Sequence, residues 1–105
     1  MDHKSVEEYI LSLPNTRLEY PFGESTAVYK VGDKMFALIA EAKDPLQISL
    51  KCDPLLSASL RETYETVMPG YHLNKKHWNT LLLSGQLTWS QVQDLIRHSY
   101  ELVKT

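Results

Sequence analysis

The chain has 105 residues, of which 43% are hydrophobic and 23% charged, and its net charge is −2 at neutral pH. That size and composition fit one globular domain with its own core, and exclude a disordered chain or a strongly basic nucleic-acid binder. The single cysteine, Cys52, excludes an internal disulfide, and no apolar run approaches the roughly 18 residues that cross a bilayer.

The first residues, Met1-Asp2-His3-Lys4-Ser5, lack the apolar centre of a signal peptide, so a cytoplasmic protein is expected. Val6, Tyr9, Ile10 and Leu13 then recur at helical spacing and place one apolar stripe on a helix. Ser5 with Glu8 fits a capping box, and Asp2 is an equally good cap for an earlier start. Pro14-Asn15 ends this helix. Thr26 to Val31 alternates, Gly32-Asp33 makes a tight turn, and Lys34 to Ala40 continues, which reads as a β-hairpin. Asp44-Pro45 turns the chain into Leu46 to Lys51, with Leu46, Ile48 and Leu50 on one face and Gln47, Ser49 and Lys51 on the other. These three runs form an antiparallel meander.

Asp53 suits an N-cap and Pro54 a first helical position, so a second helix opens there, with Leu55, Leu56, Ser59 and Leu60 along it. Pro69-Gly70 breaks the chain, and 72–77 is irregular or a single helical turn. Trp78 to Leu83 alternates again as a strand. Thr88 with Gln91 forms a capping box before a last helix, whose buried stripe carries Trp89, Val92, Leu95, Ile96, Ser99 or Tyr100, and Val103. The order helix, strands, helix, strand, helix predicts a single α+β domain over 1–105, with helices packed on one face of a largely antiparallel sheet. The other face is then expected to be open to solvent or a partner.

Charge is distributed unevenly. Residues 1–50 carry five Lys/Arg against eight Asp/Glu, whereas 51–105 carry six against five. No acidic residue falls between Thr66 and Gln93, and that stretch holds His72, Asn74, Lys75, Lys76, His77 and Trp78. Lysines there suit phosphates, asparagines suit base edges or sugars, and aromatic and imidazole rings suit stacking. Lys30, Lys34 and Lys51 join Lys75 and Lys76 if all five share one surface. Trp78 equally reads as core, and Asn74 as a turn cap. His72 and His77 are five residues apart, which is no metal-pair spacing, so neither a metal nor a cofactor is expected. Cys52 lies at a helix start beside Lys51, a setting that lowers a thiol pKa, although a small buried side chain is the simpler reading. No phosphate-cradling glycine loop or nucleophile elbow is present.

Several segments together resemble the MmcQ/YjbR family. They are Tyr20-Pro21-Phe22-Gly23, Val31 to Ala37, Ser49 to Pro54, Pro69 to Thr80 with its His-Leu-Asn-Lys-x-His-Trp block at 72–78, and Ser99 to Val103. The resemblance spans nearly the whole chain in order. It implies a CyaY-like α+β fold and a DNA-binding role. The iron handling of CyaY-like proteins is not carried over, because the first helix offers only Asp2, Glu7 and Glu8, with Lys4 among them. The expectation is therefore a small non-enzymatic binding module. Its partner is DNA, bound weakly and salt-sensitively, or an acidic protein. A small-molecule or thiol-dependent activity near Cys52 is a third reading.

Overall fold

The computed structural model describes residues 1–71 and 73–104. Three helices and six strands follow one another as α1 (His3–Ser12), β1 (Thr16–Glu19), β2 (Thr26–Val31), β3 (Lys34–Ala40), β4 (Gln47–Lys51), α2 (Pro54–Thr63), β5 (Val67–Pro69), β6 (Trp78–Leu82) and α3 (Trp89–Val103). The strands form one antiparallel sheet in the order β1-β2-β3-β4-β6-β5. The expected α+β architecture is present, with two short edge strands added to the four that alternation picks out. No helix among the described residues is long and apolar enough to cross a membrane.

The caps follow the local chemistry. Asp2, rather than Ser5, caps α1, accepting from the Ser5 N–H at 2.8 Å. Asp53 accepts from the Leu55 and Leu56 N–H groups at 3.1 and 3.2 Å, with Pro54 behind it. Thr88 and Gln91 close the capping box of α3. Gly32 turns the β2–β3 hairpin at φ +61°, a conformation that costs glycine little.

All three helices lie on one sheet face. Val6 and Ile10 of α1 and Val92, Ile96, Tyr100 and Val103 of α3 bury against Ala27, Tyr29, Ala37, Ile39, Ile48, Leu50 and Leu81. Ser99 and Tyr100 are both buried. The register slips between Tyr29 and Lys30, so Phe36 and Ala37 both join this core. Ser99 fills the irregularity, donating to the Phe36 carbonyl at 2.5 Å and accepting from the Lys51 N–H at 2.9 Å. Phe36 and Tyr100 meet edge to face at 5.5 Å. Along α2 the expected stripe is rotated: Ser57 is buried and Leu60 half-buried, while Ser59 is exposed and Leu55 is 84% exposed.

The opposite face is not open as expected. Val28, Leu38 and Trp78 form a second buried cluster there, closed by Met35 and Leu73.

Candidate functional site

Register fixes which residues share one end of the sheet. Val31 pairs with Lys34 at the hairpin, Ala37 with Leu50, and Lys51 with Trp78. The β2–β3 turn, the end of β4 and the start of β6 therefore lie together. The Cys52 N–H donates to the His77 carbonyl at 2.8 Å and ties the turn before β6 to the same end. Lys34, Lys51, Asn74, Lys75, Lys76 and His77 gather there by topology. Among the described residues no carboxylate lies within ion-pair distance of Lys34, Lys51, Lys75 or Lys76. Lys30 differs. Its ammonium pairs with Glu19 at 3.1 Å on the outer face, and Arg17 pairs with the same carboxylate. Lys30 first and Arg17 second hold the Glu19 carboxyl below the ordinary range. Two acids, Asp33 in the hairpin turn and Asp53 at the α2 cap, belong to this end, and Asp53 is engaged by two backbone N–H groups.

The turn is tied down by its own polar groups. Asn74 Oδ1 accepts from the Lys76 N–H at 2.9 Å, and its carbonyl accepts from the His77 and Trp78 N–H groups at 3.3 and 3.0 Å. Asn74 is thus a turn cap first. Lys75 Nζ donates to the Gly70 carbonyl at 3.3 Å. The Tyr71 N–H donates to Thr80 Oγ1 at 3.1 Å, and that hydroxyl meets Ser49 Oγ at 2.9 Å. His72, a candidate from the sequence, lies outside the described residues. Lys76 and His77 are exposed, as Lys75 is. Trp78 is only 5% exposed and packs on Val28 and Leu38, so its ring fills space and presents no stacking surface.

Sequence reasoning missed Arg61. From the last turn of α2 its Nε donates to Asn79 Oδ1 at 2.7 Å, and its Nη2 donates to the Trp78 carbonyl at 3.1 Å and to the Lys75 carbonyl. The only signal in the sequence was a cation near a helix C-terminus, which ordinarily reads as a dipole partner. Because a guanidinium only donates, Asn79 must turn its oxygen outward and its Nδ2 inward. That Nδ2 is buried with no hydrogen-bond partner among the described residues. Asn79 lines a small cavity together with Leu50, Cys52, Leu60 and Leu95. Cys52 is 4% exposed. Burial first, then the Asp53 charge, pushes its thiol pKa up despite opposing contributions from Ser57 and Arg61. Cys52 is the small buried side chain that was the simpler reading, and the lowering that a helix start can bring does not occur because the thiol is taken out of water.

The model of the YjbR family matches residues 11–102, a span that contains every one of these side chains. The chain belongs to the YjbR family. Uncharacterized protein YbdF of Escherichia coli O157:H7 is 37% identical over 101 residues, covering 96% of this chain and 83% of YbdF. YjbR of Escherichia coli strain K12 is 34% identical over 94 residues, or 90% and 80% of the two chains. A crystal structure from Deinococcus radiodurans superposes with a TM-score of 0.91 at 39% identity, over 95% of this chain and 76% of that one. A crystal structure from Pseudomonas syringae gives 0.85 at 30% identity, over 99% and 100%. The YjbR fold thus supplies the frame, and the lysine-bearing end of its sheet is the candidate site.

Proposed function

We propose that this YjbR-family chain is a small cytoplasmic binding module without catalytic activity, and that it binds DNA through the lysine-bearing end of the sheet and the 71–79 segment. One observation carries the reading. Lys34, Lys51, Lys75 and Lys76 share one end of an overall anionic molecule without a carboxylate partner among the described residues. Unpaired surface ammonium groups release counterions when they meet phosphates, and this drives association. Four such contacts give a slope of about −3.6 in log affinity against log salt, and tight binders use more. The non-catalytic part of the reading is supported by the burial of the one thiol at this end, which raises its pKa.

Titration of fluorescent single- and double-stranded DNA at several salt concentrations tests the proposal. Binding should weaken steeply with salt, and Lys75→Glu with Lys76→Glu should abolish it. No binding at low salt, or binding indifferent to the double substitution, rejects it.

A second reading has its own observation. Leu55 and Leu56 are exposed in the first turn of α2, next to the Cys52–His77 hydrogen bond. An apolar pair beside lysines suits an acidic protein partner better than phosphates. Purified protein with no excess absorbance at 260 nm and a stoichiometric protein partner favours this reading.

A further inference from the structure

Two of the candidate site's four cations, Lys75 and Lys76, ride on a turn that Arg61 holds from the helix side. Its fork reaches Asn79 Oδ1 at 2.7 Å, the Trp78 carbonyl at 3.1 Å and the Lys75 carbonyl. One acceptor lies on the turn before β6 and two on the first residues of β6, and none is charged. Facing neutral acceptors, the half-buried guanidinium gains charge-assisted hydrogen bonds but no ion pair among the described residues. What the contact provides is geometry, because the planar fork fixes several N–H directions at once. The carbonyl it grips on Lys75 belongs to the residue whose ammonium is turned onto Gly70 at 3.3 Å. The next residue, Lys76, has its N–H fixed by Asn74.

We propose that Arg61 is a positioning residue for the binding face: it sets the direction of Lys75 and Lys76 and makes no contact with the ligand itself. The proposal rests on the DNA reading above. A lysine in its place keeps the charge and loses the fork, since one ammonium cannot reproduce a planar set of donors. Charge alone therefore should not rescue binding.

The test is a thermodynamic cycle on the full chain. Arg61→Lys, Arg61→Met, the pair Lys75→Gln with Lys76→Gln, and the combination of that pair with Arg61→Met are titrated with one labelled DNA over a salt series. Circular dichroism checks folding of each. Arg61→Lys and Arg61→Met should each weaken binding about as much as the lysine pair, and each should reduce the salt slope by about 1.8, the share of two phosphate contacts. The combined variant should bind no more weakly than the lysine pair, because groups acting as one unit are non-additive. Losses that multiply, or an Arg61→Lys variant that binds like the parent, overturn the inference while leaving the DNA reading standing. A parent chain that binds no DNA overturns that reading and the ligand part of this one. Amide exchange then still judges the positioning: protection of the Lys76 and Trp78 N–H groups should fall in Arg61→Met, and unchanged protection refutes it.

Discussion

Gly70→Ala should destabilise the protein although Gly70 lies outside any helix and needs no left-handed backbone. An added Cβ at Gly70 would sit 2.7 Å from Trp78 Cβ, 3.1 Å from the Trp78 carbonyl oxygen and 3.2 Å from Leu73 Cβ. Carbon atoms pack at roughly 3.5–4.0 Å, so the backbone at 70 or at 78 must give by about 1 Å. Neither side is loose. The Gly70 N–H donates to the Trp78 carbonyl at 2.9 Å, so separating the strands loses that bond, worth about 1 kcal/mol. Moving Trp78 instead disturbs the cluster it forms with Val28 and Leu38. Overpacking of this kind costs about 1–3 kcal/mol, and each kcal/mol lowers Tm by about 4 °C or more in a domain of this size. Urea unfolding followed by tryptophan fluorescence measures it. An unfolding free energy within about 0.5 kcal/mol of the parent's would show that the backbone gives way freely here, and would refute the close-approach argument.

Ser99→Ala should cost about 2–3 kcal/mol, since it strands the Lys51 N–H and the Phe36 carbonyl at a fully buried position; thermal unfolding that shifts by less than about 2 °C would contradict this. Burial first, and the hydrogen bond to Glu7 at 2.5 Å second, push the Tyr29 phenol pKa above its ordinary value. The unfolded chain then releases this proton near pH 10 while the folded chain keeps it, so stability is complete below that pH and falls as pH rises above it. Tyr29→Phe should remove about 1.4 kcal/mol per pH unit from that alkaline slope, and an unchanged slope would be evidence against a retained proton. Cys52, buried and with its thiol pKa raised, should react with an aromatic disulfide at least about a hundredfold more slowly in native protein than in denaturant, and equal rates would mean the thiol is accessible.

Much of the fold was legible because its central strands alternate. The pattern is strict in 46–51 and looser in 26–31 and 78–83, and Asp53-Pro54 and Thr88-Gln91 mark helix starts that the structure confirms. The edge strands were not legible. Thr16–Glu19 has four residues and Val67–Pro69 three, one of them proline, so neither carries a period long enough to read. They are extended because β2 and β6 offer unpaired edges, which is tertiary information. The rotation of α2 was hidden for a similar reason: the four-residue spacing of Leu56 and Leu60 outweighed Ser57, a small polar side chain that fits beneath the helix beside Cys52. Five lysines were legible as candidates, but the partner of Lys30 was not, since Glu19 meets it only through the pairing of β1 with β2.

The buried cluster on the outer face changes where a ligand can act. Val28, Leu38 and Trp78 face away from the helices and are nevertheless almost fully buried, with Met35 and Leu73 over them. A phosphate laid across that centre would lose its hydration against hydrocarbon and gain no donor. Lys51 stands beside Trp78 at the rim of the cluster, and Lys75 and Lys76 stand on the turn that leads into Trp78. An anionic chain gripping these side chains must therefore follow the end of the sheet rather than its flat face. The apolar cluster then acts as the floor that keeps the turn in place. Replacing Leu73 with serine should accordingly weaken the proposed DNA binding without changing any charge, and a DNA titration indistinguishable from the parent's would refute the floor's role.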